Sequence, residues 1–150
     1  MKNIIIIVAC LLLTSCFKDK DEDFYFTDFT VEFQGAVVNN NAVGKNYPII
    51  NAIAGENKIQ VNLIGGLLDV DQAIEAKIVE NETTAIAGEH YTLTQNGNIQ
   101  FPAQTAINYL NVDVPALPDN TDVVLVVELQ ASETIKVSNN YKTIGLRIRN

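Results

Sequence analysis

The stretch Tyr109–Leu129, YLNVDVPALPDNTDVVLVVEL, decides the fold. Leu110, Val112 and Val114 alternate with Asn111 and Asp113, a period of two that puts the apolar set on one face of a strand. Pro118-Asp119-Asn120 then supplies turn chemistry, and Leu125, Val127 and Leu129 resume the apolar face with Glu128 opposite. Two half-buried strands joined by a polar turn are the unit from which antiparallel sheets are built.

The same pattern extends outward in both directions. Phe29, Val31 and Phe33 alternate with Thr30 and Glu32, Ile59 to Leu63 with Gln60 and Asn62, and Ile144 to Ile148 with Gly145 and Arg147. Asp69 to Val79 is the one stretch with helical appeal, but Ile74, Ala76 and Ile78 alternate better than they stack, so it reads as strand. Shorter strands are expected around Tyr47 to Ile53 and Ile99 to Phe101. Turn residues at Asn39–Asn41, Gly55–Asn57, Gly65-Gly66, Asn96–Asn98 and Ser138–Asn140 separate them. The expected architecture is all-β: an immunoglobulin-like, antiparallel Greek-key β-sandwich of about seven or eight strands.

Three segments follow from this. Residues 1–15 read as a signal peptide, 16–27 as a lipidated cysteine with an acidic tether, and 28–150 as the sandwich domain. Ile4–Leu13 is a ten-residue apolar run behind Lys2, whereas a spanning helix needs about 20 residues. Leu13-Thr14-Ser15-Cys16 resembles the lipobox of bacterial lipoproteins, which implies cleavage before Cys16 and acylation of its thiol and amine. An ordinary signal peptide with a chance cysteine is the competing reading. Lys18, Asp19, Lys20, Asp21, Glu22 and Asp23 form a charged run with no apolar period. It resembles the acidic export tag of surface lipoproteins in glycan-foraging Gram-negative bacteria, and implies a lipid anchor in the outer membrane facing the exterior. A plain spacer on a periplasmic lipoprotein is the alternative.

At the second half of the chain, AGEHY at Ala87–Tyr91 precedes NIQFP at Asn98–Pro102 and the two strands quoted above. That order resembles a Calx-beta domain, and still more a related, functionally uncharacterised family of bacterial surface lipoproteins with histidine in the turn. The resemblance implies a sandwich, and for calcium-binding Calx-beta domains it implies acidic ligands at one end. Here His90 stands at the turn, Pro115-Ala116 falls near the expected acidic pair, and only Asp119 and Asp122 remain as weak calcium candidates. No metal or cofactor is expected.

The formal charge of −8 argues against nucleic acid, which demands clustered Lys and Arg. His90 is the only histidine, and Cys10 and Cys16 both lie in or beside the leader, so zinc, iron and Cys–His chemistry lack ligands. No nucleophile elbow accompanies Ser132 or Ser138, and no glycine-rich phosphate loop is present. No catalytic residue is assigned. His90 reads as structural, held in its turn beside Tyr91. The expected role is a non-enzymatic binding or adhesion module whose partner is a glycan or an envelope protein. A structural accessory to a larger envelope complex is the alternative, and a small hydrolase the remote one. Tyr25, Tyr47, Tyr109 and Tyr141 are the candidates for stacking on sugar faces.

Overall fold

The computed structural model describes residues 28–150. Its strands are β1 (Phe29–Phe33), β2 (Ile49–Asn51), β3 (Gly55–Ile64), β4 (Gln72–Ile78), β5 (Thr92–Leu93), β6 (Asn98–Phe101), β7 (Ile107–Val114), β8 (Asp122–Leu129), β9 (Ile135–Val137) and β10 (Thr143–Arg149). One helical turn, α1 (Gln34–Val38), follows β1 directly. The strands form two five-stranded sheets, ordered β5-β7-β3-β1-β9 and β2-β10-β8-β4-β6. No helix among the described residues is long and apolar enough to cross a membrane.

Alternation sets which side chains meet between the sheets. Val31, Phe33, Val61, Leu110 and Val112 come from the first sheet, and Ile99, Phe101, Leu125, Val127 and Ile148 from the second, all essentially inaccessible to water. Burying one such side chain contributes about 1.5–3 kcal/mol, so the paired faces dominate stability. The stretch Gln72–Ile78 is strand, as its alternation requires, with Ala76 and Ile78 opposite Leu129 and Val127.

The sandwich is built from ten strands rather than seven or eight, and two marginal pairs, β1·β9 and β2·β10, run parallel. The additional strands β5 and β9 are two and three residues long, too short to display a period. All four strands at the sheet margins span only two to four residues. Short margins offer little unpaired backbone to a neighbouring chain.

The second sheet, which contains β10, carries a polar clamp beside β2. The Tyr47 hydroxyl donates to the Glu82 carboxylate, which also accepts from Lys45 Nζ at 2.5 Å. The Lys45 and Tyr47 hydrogen bonds hold the Glu82 carboxyl below its ordinary range, while burial raises the Tyr47 hydroxyl. The clamp ties the loop before β2 to the 3₁₀ turn Glu80–Glu82 after β4.

Candidate functional site

After β5 the chain leaves the margin of one sheet and enters β6 at the margin of the other, within the four residues Thr94–Gly97. It does so through consecutive left-handed residues: Gln95 (φ 54, ψ 29), Asn96 (φ 54, ψ 34) and Gly97 (φ 82). Asparagine visits this region readily, but glutamine does not, and each non-glycine there costs of order 1–2 kcal/mol. Such strain persists where the surroundings impose it, and it clusters at functional sites.

This turn stands where two polar depressions meet. The larger, about 430 Å³, is bounded by Glu75, Gln95, Asn96, Asn98, Gln130 and Ser132. The smaller, about 150 Å³, shares Gln95 and Asn98 and continues to Gln100 and to β7. From β7 it receives Asn108, Tyr109 and Asn111. They share Gln95 and Asn98 and together make an amide-lined groove on the two sides of β6, the larger part toward β4 and Gln130–Ser132 and the smaller where β6 and β7 approach each other.

Within it, Asn108 bridges the two sheets. Its Nδ2 donates to the Gln100 carbonyl, and its Oδ1 accepts the Tyr109 N–H at 2.8 Å. Tyr109 is 41% exposed, and Asn111 lies two residues on, hence on the same face of β7. Asn111 Oδ1 is shut off from solvent and has no hydrogen-bond donor among the described residues. Leaving a buried acceptor unpaired costs about 1–3 kcal/mol. Of the groove's lining only Glu75 is charged, and Lys77 Nζ lies 3.6 Å from its carboxylate.

An apolar depression of about 350 Å³ adjoins the turn, lined by Ile78, Tyr91 and Leu93 with Asn96 at its border. His90 closes the turn beside it. Its Nδ1 accepts the Ile86 N–H at 2.9 Å and its own N–H donates to the Ile86 carbonyl at 2.8 Å. The position therefore requires an acceptor reaching four residues back, which an imidazole supplies as an aspartate can. This is the structural role that the sequence assigns to His90.

The candidate calcium end is occupied by basic and amide side chains. Both Asp122 carboxylate oxygens accept from Arg147, one of them from Nε at 2.7 Å, and the guanidinium holds that carboxyl below its ordinary range. Asn150 Nδ2 donates to the Leu117 carbonyl at 2.7 Å and the Asn150 N–H to the Thr121 carbonyl, closing the loop that holds Asp119. No group of three or more His, Cys, Asp or Glu side chains converges among the described residues. Calcium seeks 6–8 oxygens, and here it must also displace Arg147. Millimolar calcium, compared with chelator, is expected to move the melting temperature by no more than about 1 °C, whereas a bound ion at a hundredfold excess over Kd adds about 2.7 kcal/mol. A shift of several degrees lost in Asp119→Ala with Asp122→Ala would establish a site.

The tyrosines divide. Tyr109 and Tyr141 are exposed at 41% and 36%, but Tyr47, expected to be free for stacking, is 3% exposed. Its ring lies beside Gly145 of β10 and its hydroxyl enters the Glu82 clamp. Tyr25, Cys16 and the charged run Lys18–Asp23 lie outside the described residues. The amides of Gln95, Asn98, Gln100, Asn108 and Asn111 were not legible as a site in the sequence. The only signal there was the turn motif Asn96-Gly97-Asn98.

A family model described as a domain of unknown function, DUF4843, matches residues 51–148. No curated protein matches the chain. Among solved structures, the crystal structure of the apo-form Calx CBD1 domain superposes with a TM-score of 0.55 at 15% identity, covering 82% of this chain and 98% of that one. At that identity the likeness concerns the fold.

Proposed function

The chain belongs to the DUF4843 family of domains of unknown function, and from that premise we propose that it is a non-enzymatic binding module, held by lipid on Cys16 at the outer membrane and displayed outward, that engages its partner through the amide-lined groove. The observation that carries this reading is the groove itself, where two strained residues, Gln95 and Asn96, are kept at the junction of two polar depressions. Backbone strain held at a depression favours a binding role over a merely solvated face.

Two further features support it. Glycoside hydrolysis uses a pair of carboxyl groups, and the groove's lining offers Glu75 alone. The short marginal strands give little backbone for docking by strand addition, which weighs against the accessory alternative. The lipobox-like Leu13-Thr14-Ser15-Cys16 and the acidic run behind it supply the anchor and the export signal in this reading.

Anchoring is tested with the full chain in a Gram-negative host fed labelled fatty acid. The wild type is expected to incorporate label and Cys16→Ala to lose it completely. Neutral replacement of Lys18–Asp23 is expected to preserve label but lower protease accessibility on whole cells. Labelling that survives Cys16→Ala sinks the lipoprotein reading, and unchanged accessibility reduces the charged run to a spacer.

A further inference from the structure

We propose that the groove between β6 and β7 binds an uncharged, hydroxyl-rich chain, a neutral oligosaccharide, with Tyr109 lying against a sugar face and Asn111 Oδ1 accepting a sugar hydroxyl. This rests on the reading of the groove as the binding site and names its ligand class.

Charge comes first. The lining holds no Lys or Arg, and its one carboxylate sits beside Lys77. An acidic ligand finds no counter-ion there and meets a chain of net charge −8. A cationic ligand finds only Glu75. What the groove does offer is primary amides. Each presents two N–H donors and a carbonyl acceptor in one plane. A sugar hydroxyl is also both donor and acceptor, so neighbouring hydroxyls match an amide without any ionic contact. Asn98 and Gln100, at alternate positions of β6, show this complementarity between themselves: Gln100 Nε2 donates to Asn98 Oδ1 at 3.3 Å.

Asn111 narrows the choice further. Its Oδ1 needs a donor and is covered as it stands, so the amide must turn toward the groove that the residue lines to meet one. A hydroxyl satisfies it, and a purely apolar ligand leaves the penalty in place. Tyr109, two residues away and 41% exposed, gives an aromatic face beside that acceptor. The C–H groups of a pyranose ring form an apolar face of similar width, so one ligand can cover the tyrosine and hydrogen-bond the amides together. Tyr109 and Asn111 line the smaller depression, about 150 Å³, and the 430 Å³ one that shares Gln95 and Asn98 with it falls within the 300–1,000 Å³ usual for small-molecule sites, so a chain ligand has room on both sides of those two residues.

An extended peptide is the other amide-compatible ligand. It would pair with the part of β7 that β5 leaves uncovered, before Val112, but the Tyr109 N–H already donates to Asn108 Oδ1, and Asn108 Nδ2 caps the Gln100 carbonyl on β6. With those backbone groups engaged, strand addition loses its main source of affinity.

The test uses the full chain purified in detergent micelles. It is titrated calorimetrically with the hexasaccharides of glucose, xylose, mannose and galactose, with hexagalacturonate and with a mixed decapeptide library. At least one neutral hexasaccharide is expected to bind, and hexagalacturonate at least tenfold more weakly. Tyr109→Ala and Asn111→Leu are each expected to weaken binding at least tenfold. Asn111→Leu removes the unpaired acceptor, so its melting temperature should equal or exceed that of the wild type, which separates lost recognition from lost folding. Binding that survives both variants, or a preference for hexagalacturonate, overturns the proposal. Decapeptide binding that depends on Tyr109 and Asn111 overturns the ligand class and leaves the groove as a site. No binding by any probe removes both. None of these outcomes bears on anchoring, which fatty-acid labelling reads separately.

Discussion

Gly97→Ala is expected to destabilise the domain by about 3 kcal/mol and lower its melting temperature by roughly 10 °C. Two costs add. Gly97 has φ +82, where a β-carbon is disfavoured by about 1–2 kcal/mol. An added Cβ also stands 2.4 Å from the Ala76 carbonyl oxygen, which belongs to the backbone of β4. That oxygen has little freedom to move: β4 pairs with β6 up to Glu75 and with β8 from Ala76 onward, so Ala76 sits at the changeover between two partners. Gly44→Ala isolates the first cost. Gly44 has φ +74 with nothing within 4 Å of the added carbon, so it carries the backbone penalty without the collision. Thermal unfolding of both variants beside the wild type is the measurement. Equal losses at the two glycines would show that β4 yields freely and that the turn is not wedged against it. Because Gly97 follows Gln95 and Asn96 directly, displacing it should also loosen the groove.

The strands were legible because alternation is a local signal that survives in the sequence. Phe29–Phe33, Ile59–Leu63, Leu110–Val114 and Ile144–Ile148 each carry it, and each pairs in the sheets. Alternation identifies a face but not a partner. The parallel pairing of Phe29 with Ile135 and of Gly145 with Ile49 depends on where distant chain segments end, and no turn motif encodes that. The burial of Tyr47 is illegible for a related reason: its ring lies beside Gly145 and its hydroxyl reaches Glu82, both distant in sequence. The groove was illegible on different grounds. Asn98, Gln100 and Asn111 alternate with Ile99, Phe101 and Leu110, and so read as an ordinary solvent face. Only the meeting of the two sheet margins turns those amides toward one another, and only left-handed Gln95 and Asn96 bring the turn to their edge. His90 was readable because a polar residue set against Gly88 and Tyr91 in so tight a turn has a backbone to serve.

Glu32→Gln is expected to stabilise the domain at neutral pH by on the order of 1 kcal/mol, raising its melting temperature by about 3–5 °C. Among the described residues Glu32 is the one charged side chain that is buried, 9% exposed and opposite Asn62 in the β1·β3 register. Burial raises its carboxyl above the ordinary 4.5, and the Asn62 hydrogen bond opposes that rise only in part. Asn62 is itself engaged, donating to Gln34 Oε1 at 2.6 Å, in line with the Gln60 Nε2 bond to Asn62 Oδ1. Glutamine has the same shape and keeps an acceptor for Asn62, so the substitution removes the desolvated charge and little else. The sign follows from proton linkage. A carboxyl raised on folding binds its proton more tightly in the folded state, so its contribution to stability is fully present below 4.5 and is lost as pH rises through the raised value. Wild type and variant should therefore melt together in acid, where Glu32 is protonated in both states. They should separate as pH climbs above 4.5, with the variant higher, and the gap should be constant once Glu32 is ionised in the folded protein. Melting curves of both proteins across that range provide the check. A gap already present in acid would assign the gain to packing, and a variant less stable at neutral pH would mean that the Glu32 carboxylate is held by more than Asn62.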